Sequence, residues 1–456
     1  MRLCPGAGYR EDSPTVWGKC HEVTKRDGRV RAEAPGAGLR GEKPRHGRKG
    51  WKRMEYSLPF LLDGASGTLA AEMGFRAGEC LEAWFCEHPQ AVREIVRGYL
   101  EAGAQAVYAP TFGANRAALA RYGLESRVRE LNRRIVALAR EAAEPYSAPV
   151  GASVCPTGML VPPHGDGDFD EIYSVYREQI RAVEEAGVDF VAVETQGSLA
   201  DVRAAVLVAR TTDLPVLATM TVDDNGKTVT GGSLLPAVIT LQAMGVDAVG
   251  LGCCSGPDGM AEILAETLPH ASVPLIAKPS AGLPGHTLSP EGFAQAMREV
   301  LSAGAGIVGG CCGTTPEHIR ALCRVMREFD FPAGRHAYED ADCYAAATET
   351  EAFFLGDNIV LSEPIKCSVR LVDDLIDLND EQVNAALVEL ETLDDVEILC
   401  RSALASSLPV AVRTQDRMIL DAALRYFQGR LIVDSNCDID YQLIERTAAK
   451  YGAIVY

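Results

Sequence analysis

Eight short apolar runs alternate with amphipathic stretches between residues 59 and 311, and this alternation constrains the fold more than any other feature of the chain. Strands of a parallel sheet are buried on both faces, so each reads as a continuous apolar run. The runs predict strands at residues 60–63, 104–109, 149–154, 189–194, 215–220, 247–253, 274–278 and 306–311. Helical patterns between these runs include 91–102, 171–186 and 290–303.

This alternation of strands and helices predicts an α/β protein with a closed (β/α)8 TIM barrel, and an open doubly wound sheet is the alternative. Functional side chains of such a barrel gather at the carboxyl ends of its strands. A helix predicted at 319–328 completes the barrel domain, which we assign to residues 54–331. Residues 332–349 read as a linker, and residues 350–456 repeat the alternation with about half the strands of a second barrel.

The charge of the chain is unevenly distributed. Residues 1–53 contain 14 Lys and Arg against 6 Asp and Glu, whereas the remaining residues contain 30 against 57. The basic segment is rich in Gly and Pro and lacks periodicity, so we predict that it is disordered. We expect Met54, where the ordered pattern begins, to be the native start. The acidic remainder argues against nucleic acid as the partner.

The chain contains no run of 18 or more uncharged apolar residues, and its N-terminus lacks the pattern of a secretory signal. We therefore expect a cytoplasmic protein that does not associate with a membrane. The compartment is then reducing, so the 14 cysteines are interpreted as core thiols and metal ligands rather than disulfides.

Two cysteine pairs stand at the carboxyl ends of predicted strands. Cys253 and Cys254 follow the sixth strand, and Cys311 and Cys312 follow the eighth. Neighbouring side chains on a regular strand point to opposite faces, so both can face one ion only where the backbone turns sharply. Glycines around residue 311 permit that turn. The sequence therefore predicts that thiols from both strands converge on one metal ion, with close packing of small residues as the alternative.

Thiolates favour zinc, and three protein ligands leave one position for a substrate. Zinc lowers the pKa of a thiol bound in that position, and a thiolate can attack a methyl carbon. The ligand set alone therefore indicates alkyl transfer to a thiol.

Five segments, in order, carry a resemblance to a known family: LLDGASGTLAAEMG, APTFGANRAALARYG, VETQGSLADVRAAVLVAR, GLGCCSGPDGM and GGCCGTTPEHIRAL. Between residues 59 and 326 the chain resembles the homocysteine S-methyltransferase family. The resemblance implies a (β/α)8 barrel that binds homocysteine at a zinc ion held by Cys253, Cys311 and Cys312. Because the first pair offers two thiols, Cys254 stays open as the alternative to Cys253.

The resemblance also implies which residues hold the amino acid part of homocysteine. Asp63, Gly64, Thr111 and Glu194 occupy the matching motif positions, and a carboxylate facing the substrate ammonium is physically sensible. One departure from the family pattern is Gly252, which stands where Asn is usual, and such a change alters the hydrogen bonds around a metal ligand.

Part of the segment at 350–456, RYFQGRLIVDSN followed by IERTAAKYGAIVY, resembles a piece of a pterin-binding barrel. A half barrel exposes sheet edges, so we expect this segment to pack on the first domain, to form a homo-oligomer or to dock a partner.

These observations lead to one functional hypothesis and two alternatives. The hypothesis is a zinc-dependent methyltransferase that converts homocysteine to methionine, with the methyl group supplied by methylcobalamin on a separate corrinoid protein. A betaine or sulfonium donor is the first alternative. The second is a non-catalytic zinc-bound subunit that docks onto a methyl-transfer complex.

Overall fold

A computed structural model describes residues 57–254, 256–282, 287–331, 344–356, 358–378 and 382–456. The basic segment predicted to be disordered, residues 1–53, lies outside these ranges, as do residues 332–343 of the predicted linker. We call residues 57–331 the barrel and residues 344–456 the C-terminal segment.

All eight predicted strands form in the described part of the barrel, and their parallel pairing confirms the predicted (β/α)8 architecture. The sheet runs in the order β1-β8-β7-β6-β5-β4-β3-β2. The ring closes where Gln105 N donates to the Leu61 carbonyl at 2.7 Å and Leu61 N donates to Gln105 Oε1 at 2.8 Å. The strands are β1 (Phe60–Leu61), β2 (Val107–Ala109), β3 (Val150–Val154), β4 (Phe190–Gln196), β5 (Val216–Met220), β6 (Ala248–Gly252), β7 (Leu275–Lys278) and β8 (Ala305–Val308).

The helices of the barrel begin and end at local signals in the sequence. The Asp168 carboxylate accepts from Asp170 N at 2.6 Å at the start of α6, and Gly103 ends α3 in the left-handed conformation. The helices are α1 (Ser66–Glu72), α2 (Leu81–Glu87), α3 (Pro89–Ala102), α4 (Arg116–Ala120), α5 (Val128–Ala143), α6 (Phe169–Glu185), α7 (Leu199–Ala209), α8 (Leu234–Ala243), α9 (Met260–Thr267), α10 (Pro290–Ser302) and α11 (Pro316–Glu328).

The interior of the barrel is filled by apolar side chains from alternate positions of the strands. Phe190 and Tyr108 meet edge to face with ring centroids 5.7 Å apart. A side chain at Gly151 would place its Cβ 2.2 Å from the Phe190 ring, so glycine makes room for this aromatic residue. These apolar side chains, Tyr108 and Phe190 among them, thus fill the barrel below the carboxyl ends of the strands.

The C-terminal segment contains a five-stranded parallel sheet in which neighbours follow chain order, together with an antiparallel hairpin of β9 and β10. The sequence did not predict the hairpin, and β9 lies within the stretch interpreted as a linker. The strands are β9 (Tyr344–Ala347), β10 (Ala352–Leu355), β11 (Ile365–Lys366), β12 (Ala386–Glu389), β13 (Val410–Arg413), β14 (Ile432–Val433) and β15 (Ile454–Val455). The helices are α12 (Leu371–Asp377), α13 (Leu393–Ser402), α14 (Arg417–Tyr426) and α15 (Tyr441–Tyr451).

The C-terminal segment packs on the barrel. This packing was one of the three arrangements expected for it, beside homo-oligomer formation and docking of a partner. Helix α7 lies between them, and each of its residues is buried. The Arg203 guanidinium donates to the Leu424 carbonyl at 2.9 Å and to the Arg425 carbonyl at 3.2 Å, at the end of α14. In addition, Arg425 Nε donates to Asp170 Oδ1 at 2.7 Å. None of the helices in the described ranges combines the length and apolar character that crossing a membrane requires.

Candidate metal centre and adjoining pocket

Three thiols meet at the carboxyl ends of β6 and β8. The Sγ atoms of Cys253, Cys311 and Cys312 all lie within 4.8 Å of one another, and those of Cys253 and Cys312 are 3.5 Å apart. Cys312 is exposed, and the other two residues are partly exposed. The cluster therefore opens to solvent on one side.

The backbone at Cys253 adopts a conformation that aims its side chain into the cluster. Cys253 has a φ of 57°, in the left-handed region that non-glycine residues seldom occupy. Its amide donates to the Lys278 carbonyl at 3.0 Å, which ties the end of β6 to the end of β7. Strained backbone of this kind concentrates at functional sites.

The turn after β8 directs two adjacent thiols to the same side. Gly310 N donates to the Asp63 carbonyl at 2.9 Å, and a Cβ at Gly310 would lie 2.6 Å from the Thr314 side chain. Gly313 has a φ of 78°, and the Thr314 hydroxyl donates to the Cys311 carbonyl at 2.6 Å. The glycines are therefore needed chiefly for close packing at 310 and for a left-handed turn at 313.

Cys254 lies apart from this cluster. It is 8% exposed and belongs to the hydrophobic core, and its Sγ lies 3.7 Å from the Gly252 carbonyl. Burial raises the pKa of Cys254 to about 11. The structure thus brings Cys253 rather than Cys254 to the two thiols of β8.

The chemistry of the three thiols fits a thiophilic metal ion. Hydrogen bonds with the Cys253 and Cys312 sulfurs, then burial and the repulsion between neighbouring thiolates, raise the pKa of Cys311 well above its usual range. A divalent cation removes that repulsion. Thiolates bound tetrahedrally at about 2.3 Å from zinc lie about 3.8 Å apart. The Cys253 and Cys312 sulfurs, 3.5 Å apart, are close to that separation.

A charged group spans the mouth of the barrel beside the thiols. Lys278 Nζ lies 3.2 Å from Asp63 Oδ1 and 3.2 Å from Glu194 Oε1, and it stands 3.7 Å from the centre of the Tyr108 ring. Burial alone would lower the pKa of Lys278, but the negative neighbours outweigh burial and hold it well above its usual value. Burial raises the pKa of Asp63 to about 6 despite the attraction of Lys278. Lys278 is therefore a cation at neutral pH and Asp63 is mostly ionised.

A bulge in β4 positions Glu194. The register between β4 and β5 shifts between Val193 and Gln196, and Thr195 has a φ of 60°. Bulges redirect side chains at the rims of barrels. Glu194 Oε2 accepts from the Ser153 hydroxyl at 2.6 Å, so both carboxylate oxygens of Glu194 have a partner.

Thr111 and Gly64 help to fix the ends of the strands around the pocket. Thr111 is completely buried, and its hydroxyl donates to the Ser153 carbonyl at 2.9 Å, which joins two strand ends. A Cβ at Gly64 would lie 2.6 Å from Thr314 Oγ1 and 2.9 Å from the Tyr99 hydroxyl. Glycine at 64 therefore lets the loop after β1 pack against the turn after β8.

Sequence reasoning did not identify Lys278 as part of this site. The signal was present, because a lysine ends the apolar run at 274–278 where the other positions are apolar or proline. A charge at the end of a strand buried on both faces calls for a partner of opposite charge. Its partners, Asp63 and Glu194, stand 215 and 84 positions away and could not be matched to it from the sequence.

The sequence matches a known family and several known proteins. The profile of the homocysteine S-methyltransferase family matches residues 60–326. Two similar curated proteins are methionine synthases, one from Mycobacterium tuberculosis with 31% identity over 417 residues and one from Mycobacterium leprae with 30% over 422. Each alignment covers 82% of this chain but 35% of the relative. The chain therefore spans about a third of the length of these relatives.

Solved structures of a homocysteine methyltransferase, MmuM from Escherichia coli, share the fold. The metallated form has 26% sequence identity and a TM-score of 0.53, and the match covers 60% of this chain and 98% of that one. The oxidized form has 27% identity and a TM-score of 0.51, and covers 58% and 94%. The matched share of this chain corresponds in size to the barrel.

Proposed function

The chain belongs to the homocysteine S-methyltransferase family, and on that premise we propose that it is a zinc-dependent enzyme that methylates homocysteine to methionine. The observation that carries the proposal is the cluster of Cys253, Cys311 and Cys312, with sulfurs within 4.8 Å of one another and one open side. Membership of the family makes the chain a methyltransferase, and the thiol cluster supports the choice of metal.

Different residues of the barrel would bind the metal ion and the substrate. Cys253, Cys311 and Cys312 would hold zinc, and the exposed side at Cys312 would admit the substrate thiol. Asp63 and Glu194 would attract the substrate ammonium from the mouth of the barrel. When bound, zinc would lower the pKa of the incoming thiol. The thiol would then lose its proton at neutral pH, so that no side chain has to act as general base.

The reaction would transfer one methyl group from the cobalt, nitrogen or sulfonium sulfur of a donor to the sulfur of homocysteine. The homocysteine sulfur forms a bond to the methyl carbon, and the bond from that carbon to the donor breaks with its electron pair left on the donor. The proton of the thiol is released to solvent. The products are methionine and the demethylated donor.

We propose a methylcorrinoid protein as the methyl donor, acting in trans. The similarity to two methionine synthases supports a donor of this kind, and the exposed position of Cys312 leaves the thiol site within reach of a large partner. A betaine or sulfonium compound is a smaller donor that the same thiol chemistry would accept.

One assay tests the proposal and separates the donors. The purified protein, loaded with zinc and given homocysteine, is offered methylcobalamin, a methylated corrinoid protein, betaine and S-methylmethionine in parallel, and methionine is measured. We expect about one zinc per chain and methionine formation with the corrinoid donors. Protein that binds zinc but methylates homocysteine with none of the donors would contradict the proposed activity. Turnover with betaine or the sulfonium compound alone would replace the proposed donor.

A further inference from the structure

Lys278 is the feature of the barrel mouth that family membership and the thiol cluster leave unexplained. Its side chain is 4% exposed, and it reaches from the end of β7 to Asp63 after β1 and to Glu194 on β4. The face of the Tyr108 ring, 3.7 Å from Nζ, receives its remaining side. The ammonium group thus lies between carboxylates from strands that are not neighbours of each other in the sheet.

Stability alone gives a weak reason for such an arrangement. Replacing buried ion pairs by apolar residues of similar size is often neutral or stabilising, because desolvation offsets the attraction between the charges. A buried charged group at the carboxyl ends of barrel strands is, by contrast, where functional groups gather. The position of Lys278 therefore indicates a role in substrate binding.

The charges around the pocket show what Lys278 contributes. Asp63 and Glu194 bring two negative charges, and Lys278 compensates one of them. Each carboxylate also accepts a second hydrogen bond, from Tyr108 N at 2.6 Å to Asp63 and from the Ser153 hydroxyl at 2.6 Å to Glu194. Both carboxylates are thereby fixed in place, and one net negative charge is left to attract a substrate ammonium.

An α-amino acid headgroup carries a carboxylate as well as an ammonium. Two uncompensated pocket carboxylates would attract the ammonium but repel the carboxylate, since like charges in a desolvated site interact strongly. A pocket that includes a lysine cation avoids this repulsion. The same pocket then prefers a thiol that carries both groups over one that carries the ammonium alone.

We propose that Lys278 is a specificity-determining residue that makes the pocket selective for thiols with a complete α-amino acid headgroup. Its cation offsets the substrate carboxylate, while Asp63 and Glu194, each fixed by a second hydrogen bond, attract the substrate ammonium. This inference rests on the proposed function, because it concerns the thiol that the metal centre accepts.

Three thiols of equal reach test the inference by calorimetric titration into the zinc-loaded protein. Homocysteine carries both charged groups, 3-aminopropane-1-thiol lacks the carboxylate, and 4-mercaptobutanoate lacks the ammonium. We expect K278M to weaken binding of homocysteine and 4-mercaptobutanoate by about tenfold or more, because their carboxylate would then face two pocket carboxylates without a compensating cation. Binding of 3-aminopropane-1-thiol should be unchanged or tighter, and K278R should retain the wild-type preference.

The outcomes separate this inference from the proposed function. A wild-type protein that binds zinc but none of the three thiols would refute the proposed function. A wild-type protein that binds homocysteine, combined with K278M that weakens all three thiols by the same factor, would show that Lys278 only maintains structure and would overturn the inference. K278R that loses the preference as K278M does would overturn it as well.

Two further variants keep the comparison interpretable. K366M removes a lysine whose side chain is 80% exposed in the C-terminal segment, and it should leave all three affinities unchanged. E194Q shifts the pocket charge in the opposite direction from K278M. It should strengthen 4-mercaptobutanoate relative to 3-aminopropane-1-thiol, even if K278M does not fold, and the reverse shift would contradict the inference.

Discussion

The barrel and the C-terminal segment are built from the same alternation of strands and helices, but the ends of their strands meet differently. In the barrel, Lys278 on β7 pairs with Glu194 on β4, and these strands are not neighbours in the sheet. In the C-terminal segment, Arg413 on β13 donates to Asp434 after β14 at 2.6 Å, and these strands are adjacent. Closure of a ring brings distant strand ends face to face, whereas this ion pair of the open sheet joins two neighbouring strands.

Helix α7 contacts both regions, the barrel and the C-terminal segment. Asp201 faces the barrel, where its carboxylate accepts from the Tyr176 hydroxyl at 2.7 Å and from the Thr157 hydroxyl at 2.9 Å. Arg203 faces the C-terminal segment and donates to backbone carbonyls at the end of α14. One buried helix therefore carries a charged residue toward each region, and substitutions in it can test the two regions separately.

The largest effect is expected at the thiols of the barrel. Cys253→Ser, Cys311→Ser and Cys312→Ser should each reduce zinc content and lower methionine formation by about a thousandfold or more, since each would remove a metal ligand. Zinc is measured by mass spectrometry of the purified proteins.

Cys254→Ala is the matched control for these substitutions. Cys254 adjoins Cys253 but lies in the core, so the alanine variant should retain zinc and activity even if its stability falls. Loss of zinc in Cys254→Ala together with retention in Cys253→Ser would reverse our choice of ligand.

The next effect concerns the attachment of the C-terminal segment. Arg203→Met should lower the free energy of unfolding by about 3 kcal/mol, because backbone carbonyls of α14 lose a charged donor in a buried interface. Urea titration followed by circular dichroism measures this change.

Arg210→Met provides the comparison at the other end of α7. Arg210 donates to the Ala449 and Lys450 carbonyls at 3.3 and 3.2 Å in a solvent-exposed position, so its loss should change the unfolding free energy by less than about 1 kcal/mol. Equal losses in the two variants would mean that burial of Arg203 does not strengthen the interface.

A smaller effect is expected from pH on the barrel side of α7. Burial raises the pKa of Asp201 to about 6, opposed by its hydrogen bonds from Tyr176 and Thr157. Its contribution to stability is therefore fully present below the unfolded pKa of 3.8 and is lost as the pH rises through 6. Between pH 4.5 and 8, wild type should lose about 2 kcal/mol of unfolding free energy relative to Asp201→Asn.

Urea titrations of both proteins at several pH values check this difference. Asp213→Asn, which changes an exposed carboxylate just after α7, should follow the wild-type profile. Parallel profiles for wild type and Asp201→Asn would show that the carboxyl of Asp201 keeps an ordinary pKa.

The smallest effect is expected next to the thiol cluster of Cys253, Cys311 and Cys312. A Cβ at Gly252 would lie 2.8 Å from Thr219 Oγ1, so Gly252→Ala should displace Cys253 slightly and weaken zinc binding about threefold to tenfold. Competition with a chelator measures the affinity. Combining this change with Thr219→Ala should restore part of the affinity, and an unchanged affinity in the single variant would show that the strand end absorbs the contact.

Local patterns in the sequence were sufficient to predict most of the secondary structure of the barrel. The eight apolar runs predicted β1 to β8 within a few residues, because burial on both faces leaves a continuous signal. The hairpin of β9 and β10 was missed, since its residues 344–347 include three alanines and carry little strand preference. For the site, the sequence indicated thiols from two strands but not which thiol of the first pair takes part.

By itself, the sequence determined the order and type of the barrel elements, the family, and the two strand ends that carry paired thiols. Tertiary structure decided what depended on contacts between distant residues. The left-handed backbone at Cys253 brings that thiol, rather than the thiol of Cys254, to Cys311 and Cys312. Ring closure places Lys278 between Asp63 and Glu194. Periodicity records which faces of the chain are buried, but the partner of a buried charge is set by how the strands close in three dimensions.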